Sequence, residues 1–213
     1  MEYIKLNTNY KYYESHAKDF IEGTINCDMS VQYNLFEKYL SKDSKRIMDL
    51  GFGSARDSLY FKSKGYQVTS IDPIKEFCIN AEKLGLDDIK CMTAQEIDYN
   101  EEFDGIWACA SLLHVPKKEL NDVFIKCFKA LKKNGVMYCS FKYGDFEGIR
   151  QEIFFVDLNE DSFKKYINNT LFSINEVLIT NDVRPDRKEK LLNVILMEIT
   201  TKIRFTEKIN EVN

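Results

Sequence analysis

A chain of 213 residues with 44% hydrophobic and 30% charged residues fits one domain with a proper core and excludes a disordered reading. Its longest apolar stretch, from about Ile106 to Val115, is far too short to span a bilayer, and no membrane association is expected. The net charge of -4 gives no overall attraction to polyphosphate, so nucleic acid is not the expected partner.

The first twenty residues are polar and Tyr-rich and lack the apolar core of a secretory signal, which makes a cytoplasmic location the expectation. Tyr10, Tyr13, Ala17 and Phe20 recur at helical spacing, as do Tyr33, Phe36 and Leu40, and predict two helices before the first strand. Arg46 to Leu50 reads as that strand. A Gly-containing turn follows, then a helix from about Ala55 to Lys64 that Gly65 stops. Tyr66 to Ile71 reads as a second strand, and Pro73 opens a helix that reaches Leu84 before Gly85. Ile89 to Thr93 is a third strand. Gly105 to Ala110 is a fourth, a continuous apolar run suited to burial on both faces. Pro116 opens a helix whose Leu120, Val123, Cys127, Phe128 and Leu131 form an apolar stripe, and Val136 to Phe141 is a fifth strand. After a helix near Glu160 to Asn168, Leu171 to Thr180 and Leu191 to Thr200 flank a turn-rich stretch and predict an antiparallel pair. This alternation predicts an α/β fold with a doubly wound, mostly parallel seven-stranded sheet that the antiparallel C-terminal pair completes.

In such a sheet ligands bind beyond the carboxyl ends of the strands, where strand order reverses. Gly51 and Gly53 allow a tight turn and close approach of a ligand after the first strand, and Ser54 and Ala55 are small enough for close helix packing. Asp72 ends the second strand, where a carboxylate can accept hydrogen bonds from both hydroxyls of a ribose. Each feature alone has a plain reading, a tight turn or a helix cap. Their separation and strand order together point to a nucleotide-type site. A dinucleotide site wants a third glycine where this chain has Arg56, and no Gly-rich phosphate loop ending in Gly-Lys-Ser/Thr is present. Six cysteines stand singly with two histidines in the whole chain, which predicts reduced core thiols and no metal site.

The segment Asp49-Leu50-Gly51-Phe52-Gly53-Ser54-Ala55 resembles the first motif of the class I S-adenosylmethionine-dependent methyltransferases. Asp72 is similar to their ribose-binding acid, Phe103-Asp104-Gly105-Ile106 to the start of their fourth strand, and Leu131-Lys132-Lys133-Asn134-Gly135 to a usual turn of the family. Arg56-Asp57-Ser58-Leu59-Tyr60 is similar to tellurite-resistance-type and related small bacterial members. The resemblance implies a Rossmann-like methyltransferase domain over residues 43–200, an N-terminal helical lid over 1–42 and a polar tail over 201–213. It implies S-adenosyl-L-methionine as cofactor and S-adenosyl-L-homocysteine as product, with Asp49, Gly51, Gly53, Asp72, Ala94, Gln95, Ala110 and Tyr13 as cofactor-binding candidates. Phe52, Ala55 and Thr93 depart from the family pattern, and Thr93 shifts adenine recognition onto the Ala94 backbone and the Gln95 side chain.

Methyl transfer needs alignment and water exclusion more than a triad. His114 is the candidate base for an acceptor that arrives protonated, with loop bonding or cofactor contact as its alternatives. Lys142, Tyr143, Asp145 and Arg184 are candidates for the substrate side, with Met29 and Tyr13 in the lid. A small-molecule acceptor is the leading expectation, in a monomer or homodimer. An RNA or protein acceptor, which a basic stripe from Lys142, Arg150, Arg184, Arg187 and Lys188 would favour, and a non-catalytic cofactor-binding module are the alternatives.

Overall fold

A computed structural model describes residues 2–185 and 187–199. Three helices, α1 (Glu2–Ser15), α2 (Ala17–Thr24) and α3 (Ser30–Glu37), lead into β1 (Arg46–Leu50) and α4 (Arg56–Ser63). Next come β2 (Gln67–Ile71), α5 (Lys75–Lys83), β3 (Asp88–Lys90), β4 (Phe103–Ala108) and α6 (Lys117–Ala130). The chain continues through β5 (Leu131–Lys142), β6 (Glu147–Arg150), β7 (Ile153–Val156), α7 (Glu160–Ile167), β8 (Phe172–Asn181) and β9 (Lys190–Glu198).

Seven strands form one sheet in the order β3-β2-β1-β4-β5-β9-β8. The first five run parallel, and β9 lies antiparallel to both β5 and β8, with Val136 opposite Met197 and Lys142 opposite Leu191. The predicted doubly wound sheet with its antiparallel C-terminal pair is the sheet observed. Order reverses between β1 and β4, so their carboxyl ends diverge and leave a crevice.

Alternation along the strands divides the core. Met48, Leu50, Ile106 and Met137 face α6 and α7, where they meet Leu120, Phe124, Cys127 and Phe163. Ile47, Trp107 and Tyr138 face the other way, against Tyr33 and Phe36 of α3 and Phe61 of α4. Trp107 is wholly buried there, stacked 4.1 Å from Tyr138 and edge-on to Phe36 and Phe61. α3 is therefore part of the core, whereas α1 crosses beside β7.

Three expectations need correction. The stripe from Tyr10 to Phe20 is two helices, because His16 leaves helical geometry and the Ser15 hydroxyl donates back to the Lys11 and Tyr12 carbonyls, which competes with the helical ladder. The third strand is Asp88–Lys90, since Thr93 and Glu96 form a capping box for a short 3-10 turn that starts at Ala94. A two-stranded hairpin, β6 with β7, occupies a stretch that carried no strand expectation. The tail over 201–213 and the predicted strand end at Thr200 lie outside the described residues.

Candidate functional site

Beyond β1 the backbone turns sharply, with φ of +82° at Gly51 and +52° at Gly53. Gly51 N–H donates to the Ile71 carbonyl at 2.6 Å, which ties the turn to the end of β2. A Cβ on Gly51 would sit 2.2 Å from Ser111 Cβ, so both the φ and the space demand glycine. Ala55 takes the left-handed conformation at φ +69° and is wholly buried before α4 begins. For a residue with a Cβ that conformation costs about 1–2 kcal/mol.

Asp72 is 5% exposed and its carboxylate accepts from Gly53 N–H at 3.0 Å and Ile74 N–H at 2.9 Å. Burial pushes its pKa up to about 6, against the pull of those two backbone donors. Two lone-pair directions of the carboxylate are left for further donors.

Two adjoining cavities open at this end of the sheet. The smaller, of about 140 Å³, is lined by Asp72, Ile74, Met92, Ala94, Gln95 and Ala110 among others. The larger, of about 550 Å³, reaches from Gly51 and Gly53 past Thr24 and Gln32 to Lys142 and Arg184. Tyr13, Phe20 and His114 border both. Of the residues expected at the site, Gly51, Gly53, Asp72, Ala94, Gln95, Ala110, Tyr13, His114, Lys142, Arg184 and Met29 line one cavity or both.

Three expected residues are placed elsewhere, among them Asp145, which is exposed and lines neither cavity. Asp49 lies beneath the turn and lines neither cavity. It accepts from the Ser58 hydroxyl at 2.6 Å, and burial raises its pKa well above the usual carboxylate range. That placement makes it a support of the turn and not a wall of the pocket. Tyr143 is exposed and its hydroxyl donates to Glu160 at 2.9 Å. β5 runs on to Lys142, and the alternation of a strand turns Lys142 into the cavity and Tyr143 away from it.

His114 sits in a 3-10 turn after β4, with Nδ1 at 2.8 Å from the Phe154 carbonyl and Nε2 at 3.0 Å from the Tyr13 hydroxyl. A carbonyl only accepts, so Nδ1 carries the hydrogen and Nε2 accepts from Tyr13. Burial lowers the His114 pKa to about 4, with Lys142 adding to that and the Phe154 bond opposing it, so the ring is neutral at neutral pH. Burial likewise raises the Tyr13 phenol. Asn9 of α1 closes the same corner, accepting from Phe154 N–H at 2.7 Å.

Several lining residues carried no sequence expectation. Asp57 accepts from Tyr33 at 2.5 Å, Arg56 at 2.7 Å and Trp107 at 2.9 Å, so the position of the missing third glycine holds a buried ion pair. Gln32 and Phe155 also line the larger cavity. Gln32 Oε1 and Ser111 Oγ are buried without a hydrogen-bond partner among the described residues. A regular apolar run, Phe154-Phe155-Val156, was the available signal for the hairpin wall.

The residues fit a ribose-bearing sulfonium cofactor. A buried carboxylate with spare lone pairs stands beside a turn stripped of Cβ atoms, and the orphan Ser111 hydroxyl lies against Gly51. All six cysteines are free thiols, and no cluster of three metal-ligating side chains exists among the described residues. No described helix is long and apolar enough to cross a membrane.

Residues 48–139 match the family model described as a methyltransferase domain. The ubiquinone biosynthesis O-methyltransferase of Rhodopseudomonas palustris is 34% identical over 97 residues, covering 43% of this chain and 38% of that one. The chain spans about two fifths of the length of the curated ubiquinone relatives it matches, with 38% and 39% covered. Among solved structures, Burkholderia thailandensis 1,6-didemethyltoxoflavin-N1-methyltransferase, with its substrate and S-adenosylhomocysteine bound, superposes with a TM-score of 0.71 at 18% identity. The superposition covers 89% of this chain and 85% of that one. The [4+2]-cyclase SpnF also reaches a TM-score of 0.71, at 13% identity, with 89% and 94% covered. At such identities these likenesses show the fold.

Proposed function

We propose that this chain is an S-adenosylmethionine-dependent methyltransferase that acts on a small molecule. The observation that carries the reading is Asp72, a buried carboxylate bonded to the Gly51–Gly53 turn at the point where strand order reverses. Asp72 would accept from the ribose hydroxyls, Ala94 and Gln95 would border the adenine, and the Gly51 and Gly53 backbone would leave room for the rest of the cofactor. When bound, the cofactor supplies a methyl group already activated on a sulfonium, so transfer to an in-line nucleophile needs no covalent help from the protein. Tyr13 and Phe20 would keep water out. Because the Tyr13 hydroxyl occupies His114 Nε2, a proton released by the acceptor would reach that nitrogen by way of Tyr13.

The matched domain and the relatives' names support methyl transfer. The relatives named for ubiquinone biosynthesis and for 1,6-didemethyltoxoflavin support a small-molecule acceptor. The tellurite-resistance-type likeness is proposed on Arg56 to Tyr60 alone. A second reading keeps the site without methyl transfer, because the cyclase shows that this fold also carries other chemistry. Release of S-adenosylhomocysteine in the presence of an acceptor separates the two.

The site makes a pH prediction. Ribose hydroxyls donate to an ionised Asp72, whose pKa in the free protein is about 6. Affinity for S-adenosylhomocysteine is expected to stay level above about pH 7 and to fall about tenfold per unit below pH 6, as the carboxylate takes up a proton. His114, neutral down to about pH 4, adds nothing in that range. Calorimetric titrations from pH 5 to 8 check this, and an affinity that rises on acidification would contradict the assignment of Asp72.

A further inference from the structure

We infer that the methyl acceptor carries a single acidic group, held by a cationic wall that faces the Gly51–Gly53 turn across the larger cavity. This rests on the cofactor reading above. The sequence contains six arginines, and four of them, Arg56, Arg150, Arg184 and Arg187, line this one space in a chain of net charge -4. Arg56 belongs to the turn side, bonded to Asp57. The other three join Lys142 from separate elements: the end of β5, the end of β6 and the connection between β8 and β9. Solvated surface charges have no reason to converge in this way on a concave wall.

Their pairing is incomplete. Arg184 is bonded through two nitrogens to Asp182, and Arg150 to Asp157. Lys142 Nζ lies 3.0 Å from Glu189 Oε1, and Arg187 Nη1 lies 3.8 Å from the same oxygen. Among the described residues these four cations therefore share three carboxylates. The Lys142 bond holds Glu189 down at about 2, so that acid stays charged at any physiological pH and still serves two partners. The Lys142 side chain is only 10% exposed, where an unbalanced charge is little screened. Arg150 Nε is buried with no hydrogen-bond partner among the described residues, which leaves a donor of the guanidinium fork open.

The wall is also flat and aromatic. Lys142 Nζ lies 4.5 Å from the centre of the Phe155 ring and the Arg150 guanidinium 5.0 Å from it, and the His114 ring is 5.1 Å away. A planar acceptor against Phe155 would hold its acidic substituent between Arg150, Lys142 and Arg187, with its nucleophile toward Tyr13 and the turn. A carboxylate, sulfonate or phosphate shares this chemistry. A polyanion does not fit it, because Asp157, Asp182 and Glu189 stand among the same cations and would repel a strand of phosphates.

The test separates this inference from the reading beneath it. S-adenosylhomocysteine is titrated first, and if it fails to bind, the cofactor reading falls on its own account. Protein saturated with S-adenosylhomocysteine is then probed by ligand-observed NMR with planar aromatic fragments, each supplied as carboxylate, carboxamide and aminomethyl form, and with a single-stranded RNA oligonucleotide. Carboxylates are expected to bind about tenfold more tightly than the matched carboxamides, and the preference should fall below about threefold in Arg150→Gln and in Arg187→Gln. Thermal melting identifies either variant that loses its fold, and the other then decides. Equal binding of the three forms, no carboxylate bound at all, or a preference unchanged in the folded variants overturns the inference. Tight oligonucleotide binding that the same variants abolish overturns it in favour of a polyanionic acceptor.

Discussion

Asp72→Asn is expected to weaken S-adenosylhomocysteine binding by about 100-fold, roughly 3 kcal/mol, the worth of two charge-assisted hydrogen bonds lost together. The loss has two parts. An amide keeps one accepting oxygen, and its NH₂ group must face either the Gly53 or the Ile74 N–H, both of which the native carboxylate accepts. The turn is then held less firmly at the point where the ligand lies. Stability should change little, because burial already disfavours the native charge, as its pKa of about 6 shows, and the neutral amide removes that cost. Calorimetry on the variant, with its melting temperature as control, reads both. An unchanged dissociation constant would remove Asp72 from the site.

Trp107→Ala should be among the most damaging substitutions for the fold. The indole is fully buried, stacks on Tyr138 at 4.1 Å and meets the rings of Tyr33, Phe36 and Phe61. Removing such a side chain costs about 3–5 kcal/mol. For a chain of this length that is a fall in melting temperature of about 10 °C. The indole N–H also donates to Asp57 at 2.9 Å, so truncation leaves that buried carboxylate short of a donor. Trp107→Phe keeps most of the packing and should cost about 1–3 kcal/mol for the lost bond to a charged group. Circular dichroism melts of the three proteins check the order. A shift of less than about 2 °C for Trp107→Ala would contradict the packing described.

What could be read from the residues was whatever depends on local geometry. Two glycines after one apolar strand and an acid after the next place a turn and a carboxylate at adjacent strand ends, and the structure puts Gly51, Gly53 and Asp72 together. The α/β alternation likewise carries the parallel run of β1 to β5, while the order of the strands comes from the structure. The β6–β7 hairpin was hidden because its turn residues, Gln151 and Glu152, take φ of +48° and +65°, a conformation that Asn-Gly usually announces. The division of labour between Lys142 and Tyr143 was hidden because it depends on where β5 ends. Asp49 belongs to the motif that first marks the site, yet only tertiary packing shows that its partner is Ser58. The cationic wall was visible as scattered residues, and only the structure brings Lys142, Arg150, Arg184 and Arg187 to one cavity, each beside an acid.

On the function proposed here, the crevice between the ends of β1 and β4 holds S-adenosylmethionine and not a dinucleotide. Calorimetric titration of the chain at neutral pH with S-adenosylmethionine, S-adenosylhomocysteine and NADH tests it most directly. Binding of both sulfur compounds at about micromolar strength, near 8 kcal/mol, with no heat from NADH, is the predicted result. Binding of NADH with neither sulfur compound bound would contradict it.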